Sequence, residues 1–291
     1  MFYIFRFIYD FEETFSDIKI IEMEKLENTY TIENIESLAD QWIITKLNKV
    51  IKEVTNRINN YKFGEASDIL YEFIWKDFAS WYIEIYKLDN YLNNKEVLRY
   101  VTVNILKLLH PFCPFITEHL WKNIFNNYLI SASWPSLNKN IYKNSEKEFD
   151  ILRNIITSIR NTKNKIKINK KLNILFTKNE NINIIKNNLE IIKNLAGLEK
   201  IEFIDNIPSD ISNYIKTVLS NFEMLLEIGS SDIGKINKDK EKEIKIIKNS
   251  IINIEKKLNN KDFILRAPKE IIDKEKEKYN YLNNKLNKIL N

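Results

Sequence analysis

The stretch from Tyr61 to Tyr86, YKFGEASDILYEFIWKDFASWYIEIY, contains nine aromatic residues among twenty-six. Apolar residues recur every three or four positions along one helical face: Leu70, Ile74, Phe78, Trp81 and Ile85. A second apolar stripe lies beside the first: Tyr71, Trp75, Tyr82 and Tyr86. Two adjacent stripes leave only a narrow polar face, so the pattern predicts a helix buried inside a bundle.

The aromatic rings of this stretch have two interpretations. Core packing is the common role of aromatic side chains at helical spacing. The alternative is a platform for nucleic-acid bases, because bases stack on aromatic side chains. The pattern alone does not decide between them.

Further helices are predicted on both sides of the aromatic helix. Ser37-Leu-Ala-Asp40 is typical of a helix N-terminus, and helical spacing then continues to Asn59-Asn60. Val97 to Leu108 predicts a third helix, which must end at His110 because a proline follows. Pro114 fits the first turn of a fourth helix. These elements predict an up-and-down bundle.

The period of the sequence changes after the bundle. The predicted elements are a helix over Glu146–Lys165, a strand over Lys171–Thr177, a helix over Ile182–Leu195, a strand over Lys200–Ile204 and a hairpin over Val218–Ile228 turning at Ser220-Asn221. Together they predict a small α+β unit. We expect Gly229 to Gly234 to act as a hinge.

The C-terminal segment has the most regular pattern in the chain. One apolar seam consists of Ile244, Ile247, Ile251, Ile254 and Leu258, and a matching seam consists of Ile272, Tyr279, Leu282, Leu286 and Ile289. Two matched helices joined by one loop predict an antiparallel coiled-coil hairpin within the chain. Such a chain is expected to be a monomer.

The predicted fold class is mainly α. We expect a connector over residues 1–36, a helical bundle over 37–140, a small α+β domain over 141–234 and a coiled-coil arm over 235–291. The first residues, MFYIFRFIYDFEE, are apolar for only nine positions and contain Arg6, too short for a membrane span or a signal peptide. A single cysteine, Cys113, suits a reducing compartment. These features predict a cytoplasmic protein.

Charge is unevenly distributed along the chain. The whole sequence has 45 Lys and Arg against 40 Asp and Glu, a net charge of +5. Residues 235–291 contain 16 of those cations and 9 of the acids, or +7, which leaves 5 − 7 = −2 for the first 234 residues. The basic C-terminal segment is therefore a candidate for binding nucleic acid.

No catalytic or metal-binding constellation is evident in the sequence. The four glycines, Gly64, Gly197, Gly229 and Gly234, form no phosphate-binding loop. The two histidines, His110 and His119, lack the spacing of a metal site. We predict structural roles for both histidines, no catalytic residue and no metal ligand.

Two strings carry a family resemblance. FIWKDFASWYIE (Phe73–Glu84) and LLHPFCPFITEHLW (Leu108–Trp121) resemble the anticodon-binding helical domain of valyl-tRNA synthetases. NIEKKLNNKDFILRAPKEIIDKEKEKY (Asn253–Tyr279) resembles the C-terminal coiled-coil arm of the same family. The resemblance covers about residues 38 to 291. It departs from the family after Ile159-Arg160-Asn161, where members usually have two prolines and this chain has KIKINKK.

The resemblance implies a valine-tRNA ligase, which attaches valine to its tRNA with ATP. In the family the bundle binds the anticodon stem-loop and the arm supports the outer corner of the tRNA. The class I signatures His-Ile-Gly-His and Lys-Met-Ser-Lys-Ser are missing, and the family's catalytic and editing domains are absent from this sequence. ATP and Mg are therefore expected only for that absent catalytic domain. The chain is then either a split-gene subunit, whose catalytic partner is a separately encoded chain, or a truncated product. We expect this chain alone to be inactive.

The basic arm offers candidate contacts for tRNA phosphates. The candidates near its tip are Lys256, Lys257, Lys261, Arg266 and Lys269. Arg266 is the best single candidate, because its planar guanidinium can bind a phosphate through two hydrogen bonds. A solvated face of a coiled coil is the other interpretation of these lysines.

Two alternatives remain at this point. One is a stand-alone tRNA-binding or RNA-binding module without a ligase partner. The other is a structural protein whose heptads pair between chains.

Overall fold

The structure is a computed structural model that describes residues 35–88, 95–125, 127–140, 142–219, 222–259, 276 and 278–280. The helices are α1 (Leu38–Asn59), α2 (Phe63–Glu72), a π-helix (Phe73–Tyr82), α3 (Ile83–Tyr86), α4 (Lys95–Leu109), α5 (Pro114–Ile124), a 3-10 turn (Leu129–Ser131), α6 (Ser145–Lys165), α7 (Ile182–Asn187), α8 (Leu189–Ala196) and α9 (Ser230–Asn259). The strands are β1 (Leu172–Thr177), β2 (Leu198–Ile204), β3 (Tyr214–Leu219) and β4 (Phe222–Glu227). A helical bundle followed by a small α+β unit confirms the predicted fold class, while the predicted connector lies almost wholly outside the described residues.

Helix α1 begins where its sequence predicts. The Ser37 hydroxyl oxygen accepts a hydrogen bond from the backbone N–H of Asp40 at 3.3 Å, which satisfies a donor that the first turn cannot pair internally. Trp42, Ile43 and Leu47 are fully buried on its inner face. The local cap and the apolar spacing therefore fix both the start and the orientation of α1.

The aromatic stretch forms one continuous helical rod whose middle is a π-helix of 10 residues. Its ring side chains Phe73, Phe78 and Tyr82 are buried, so core packing is the role of these rings. The second stripe is wrong at Tyr71, which is 59% exposed. The ring of Tyr71 lies at the surface of α2, 6.2 Å from the ring of Trp75. The first stripe continues through the π-helix, since Leu70, Ile74, Phe78 and Ile85 are all buried.

Prolines mark the C-terminal end of α4 and the start of α5, as predicted. Helix α4 ends at Leu109, and Pro114 is the first residue of α5. The imidazole Nδ1 of His110 lies 2.9 Å from the Thr117 hydroxyl, which ties the connecting loop to α5. This hydrogen bond gives His110 a structural role.

Helix α6 joins the bundle to the sheet unit. Its Phe149 ring stacks on Trp42 with centroids 3.8 Å apart, and Arg153 donates to the Asp77 carboxylate of the π-helix at 2.8 Å. Farther along, the Arg160 Nε donates to the backbone carbonyl of Leu195 at 2.7 Å. Both units therefore pack on one helix and share a continuous core.

The four strands form one sheet in the order β2-β1-β4-β3. β1 and β2 are parallel, and the other pairs are antiparallel. Leu219 pairs with Phe222, as in the predicted hairpin, but β3 begins at Tyr214 and not at Val218. The predicted turn residues Ser220 and Asn221 lie outside the described residues. The expected single helix over Ile182–Leu195 is two short helices instead, because the chain leaves the helical conformation at Asn188.

The expected hinge over Gly229–Gly234 is wrong. Helix α9 begins at Ser230 and continues through Gly234 for 30 residues, which is about 45 Å. A glycine inside a helix costs about 1 kcal/mol relative to alanine, a cost that a long helix tolerates. An ion pair of 2.5 Å between Asp232 in the first turn and Lys170 also attaches this helix to the sheet unit.

Asp40 is a buried acid at the N-terminal end of α1. The Tyr82 hydroxyl donates to its carboxylate at 2.6 Å. Burial raises the pKa of Asp40 from its ordinary 3.8 to about 7, although the hydrogen bonds from Tyr82 and Ser37 favour the charged form. Between these two pH values the folded state holds a proton that the unfolded state releases. The contribution of this group to stability is therefore largest at low pH and is lost as the pH rises to about 7.

We expect Asp40→Asn to remove this pH dependence, because the amide stays neutral and its oxygen can still accept from Tyr82. The wild-type free energy of unfolding should fall relative to that of the variant by roughly 1.4 kcal/mol per pH unit between pH 5 and 7. Urea unfolding at pH 5, 6, 7 and 8 measures the difference. Asp68→Asn, an exposed change on α2, is the control. Parallel curves for wild type and Asp40→Asn would contradict the assignment.

Candidate nucleic-acid interface

The arm helix α9 has one buried and one exposed side. Ile251 and Ile254 are buried, as the predicted seam requires. Lys245, Lys248 and Lys256 are exposed and lie within about 80° of one another around the helix axis, given 3.6 residues per turn. We call these three residues the lysine stripe. It extends over about 16 Å of the helix.

The lysine stripe is free to meet an anion. None of its three ammonium groups forms an ion pair with another described residue. Glu255 lies at the edge of the stripe, where its carboxylate accepts a hydrogen bond from the Tyr279 hydroxyl at 2.9 Å. The lysines can therefore act as point charges toward phosphates along the helix.

The same hydrogen bond joins α9 to a later part of the chain. It brings residue 279 back beside residue 255, across 24 positions of sequence. The short helical segment over 278–280 lies at this contact. This return supports the expected hairpin, while the coiled-coil pairing of its two helices stays a prediction.

Two of the five predicted contact residues lie within the described part of the arm. Lys256 and Lys257 are exposed in the last turns of α9. Lys261, Arg266 and Lys269 lie outside the described residues, so their placement stays a prediction. The sequence reasoning missed Lys245 and Lys248, although the isoleucine seam already indicated which positions of this helix face solvent.

Exposed rings of the bundle offer a second kind of contact. Tyr61 is 84% exposed in the turn between α1 and α2, and its ring meets that of Phe63 edge to face with centroids 6.5 Å apart. Nearby, Glu65 pairs with both Arg57 and Lys62. Unpaired RNA bases stack on exposed rings of this kind. The stacking interpretation therefore survives for these rings, which sit outside the core.

The described residues also include one thiol. Cys113 is half-buried, and burial raises the pKa of its thiol. The described residues contain no group of three or more side chains able to hold a metal ion. Among the helices that the structure describes, none has both the length and the hydropathy needed to cross a bilayer.

Two family models match this chain. The anticodon-binding domain of tRNA ligase matches residues 40–180, and the valyl-tRNA synthetase tRNA-binding arm matches residues 232–291. The first match covers α1 to β1, and the second covers α9 and the residues after it.

Curated relatives are valine–tRNA ligases. The chain is 35% identical to that of Buchnera aphidicola subsp. Schizaphis graminum over 84% of its length, and 32% identical to that of Thermotoga maritima over 86%. The enzyme of Aquifex aeolicus is also 32% identical over 86% of the chain. These alignments cover 28%, 29% and 24% of the relatives, so the chain spans less than a third of their length. With both domain matches side by side, the chain belongs to the valyl-tRNA synthetase family and carries its anticodon-binding domain and its tRNA-binding arm.

Proposed function

We propose that this chain is the tRNA-binding C-terminal portion of a valine–tRNA ligase and that it binds valine tRNA. The observation that carries the proposal is the lysine stripe of α9, because exposed ammonium groups along one helix face suit an RNA backbone. The bundle adds exposed rings at Tyr61 and Phe63. The arm then contributes affinity, and the bundle contributes contacts to unpaired bases.

The direct test is binding of a valine-tRNA transcript to the pure chain, followed by fluorescence anisotropy at several salt concentrations. Phosphate contacts predict a linear fall of log K with log salt, with a slope of about −0.7 to −0.9 per contact. Absence of salt-dependent binding would reject the proposal. Equal binding of other tRNAs would favour the stand-alone RNA-binding module instead.

We also propose that the ligase reaction needs a catalytic portion that this sequence lacks. That portion would bind ATP and Mg and would be a separate chain or a preceding segment. The sequence has neither nucleotide-binding signature of class I synthetases. A cytoplasmic location is part of the same proposal.

We expect the pure chain to show no valine-dependent exchange of pyrophosphate into ATP. The physical reason is that no glycine-rich or histidine-containing signature is present to bind the nucleotide. The assay follows labelled pyrophosphate with ATP, Mg and valine, and an intact valine–tRNA ligase is the positive control. Exchange above the rate without valine would contradict the expectation.

The arm is proposed to pair within one chain and to leave the protein a monomer. The hydrogen bond from Tyr279 to Glu255 supports pairing inside the chain. Light scattering tests this proposal. A stable dimer that dissociates when residues 235–291 are removed would favour the structural protein whose heptads pair between chains.

A further inference from the structure

A second basic segment lies outside the arm. Residues 151–179 contain eight Lys and Arg and no Asp or Glu, so this segment carries +8. The first 234 residues carry −2 in total, which leaves −2 − 8 = −10 for the rest of them. The total charge of the first 234 residues therefore hides a strongly basic stretch.

Five of these eight cations have internal partners. The pairs are Arg153 with Asp77, Arg160 with the Leu195 carbonyl, Lys163 with the Gly197 carbonyl, Lys170 with Asp232 and Lys178 with Asp205. Their role in the fold is thereby accounted for.

The other three cations are concentrated in one loop. Lys165, Lys167 and Lys171 lie at the end of α6 and in the connection to β1, and all three are exposed. None of them pairs with an acid in the part of the chain that the structure describes. We call residues 164–171 the basic loop. The ammonium groups of Lys165, Lys167 and Lys171 are available to an external anion.

The backbone of the basic loop is fixed at Lys167. This residue has φ +55°, and its N–H donates to the Asn164 carbonyl while the Ile168 N–H donates to the Lys163 carbonyl. These two bonds form the turn that usually ends a helix with glycine in the left-handed position. A lysine there costs stability that glycine would not cost. Strained positions of this kind are concentrated at functional sites.

The basic loop lies at the root of the arm. Lys170 pairs with Asp232 in the first turn of α9, and Ile168 is buried beneath the loop. The loop is thus held by both the sheet unit and the arm. A polyanion bound along the arm would find these lysines where the arm begins.

We propose that the basic loop is a binding site for backbone phosphates of tRNA. The inference rests on the proposed function and adds a contact surface separate from the lysine stripe. Three exposed lysines without rings or carboxylates among them suit phosphates, which lysine binds as a point charge.

The test is the salt dependence of binding to a valine-tRNA transcript by the full chain and by a variant carrying Lys165→Ala, Lys167→Ala and Lys171→Ala. Each lost contact should make the plot of log K against log salt less steep by about 0.7 to 0.9. The affinity at about 0.1 M salt should then be about five- to eightfold lower. Parallel lines for both proteins would overturn the loop site and leave the proposed function standing. A full chain without salt-dependent binding would overturn both.

Lys167→Gly separates binding from folding. It relieves the strain of the left-handed backbone, so the melting temperature should rise. It also removes one phosphate contact, so the affinity for tRNA should fall about five- to eightfold. Lys167→Arg should keep the affinity of the wild type. Lys52→Ala, which removes an exposed lysine on α1, is the matched control and should leave the slope unchanged. An equal loss in Lys52→Ala and Lys167→Gly would mean that only net charge matters, and would overturn the site.

Discussion

Deletion of residues 235–291 is expected to weaken binding of a valine-tRNA transcript by on the order of a hundredfold at about 0.1 M salt. The deletion removes a local charge of +7, including the lysine stripe of Lys245, Lys248 and Lys256. Three lost phosphate contacts would reduce the log-log salt slope by about 2 to 3. Affinity and salt dependence should therefore fall together.

The same deletion should leave the melting of the bundle nearly unchanged. The cut follows Gly234, so Asp232 keeps its ion pair with Lys170 and Ile233 keeps its packing on the core. Fluorescence anisotropy gives the affinity, and circular dichroism gives the melting temperature. Both are needed, because an unfolded protein would also lose binding.

Single substitutions in the arm refine this expectation. Arg266→Ala should remove about one phosphate contact, so the plot of log K against log salt should be less steep by about 0.7 to 0.9. Lys288→Ala, near the base of the predicted hairpin, should leave it unchanged. If full-length and deleted proteins have parallel salt dependences, the arm does not contact tRNA phosphates and its lysines are a solvated face.

Local chemistry made the helix ends predictable. The hydroxyl of Ser37 and the ring of Pro114 each act on the backbone within one turn, so their positions in the sequence indicate where α1 and α5 begin. The π-helix was not predictable in this way. Its backbone register depends on how the rings of Phe73, Phe78 and Tyr82 pack against other helices, which a periodic pattern does not report.

Contacts between distant residues were the other part that the sequence did not indicate. Trp42 and Phe149 are 107 positions apart, and only the folded chain shows that α6 belongs to the bundle as well as to the sheet unit. The hinge at Gly229–Gly234 was predicted from composition, yet the ion pair of Asp232 and the long helix outweigh the preference of two glycines. Tertiary contacts decided both cases.

The candidate site was only partly predictable for a similar reason. Clustering indicated Lys256 and Lys257, whereas Lys245 and Lys248 needed the direction of each side chain around α9. The basic loop was missed because charge was averaged over 234 residues. An average cannot show that five cations have partners and that Lys165, Lys167 and Lys171 have none among the described residues.

Trp42 connects the bundle to α6, so its loss should have the largest effect on stability. The indole is fully buried, stacks on Phe149 at 3.8 Å with an interplanar angle of 12°, and lies 5.1 Å from the Arg153 guanidinium. Trp42→Ala removes this ring from a closed core and should lower the free energy of unfolding by about 3 to 5 kcal/mol. Urea unfolding followed by circular dichroism measures the change.

Two variants show whether the buried ring itself is responsible. Trp42→Phe keeps an aromatic ring against Phe149 and removes an indole N–H that no described residue accepts, so it should cost far less than Trp42→Ala. Trp134→Ala removes an indole that is 40% exposed and donates to the Thr55 hydroxyl at 2.9 Å, and it should cost about 1 kcal/mol. We expect the arm to stay folded in all three variants, so tRNA binding should fall only as far as the bundle unfolds. A Trp42→Ala protein that keeps the wild-type stability but loses tRNA binding would show that this ring contacts RNA and is not part of the core.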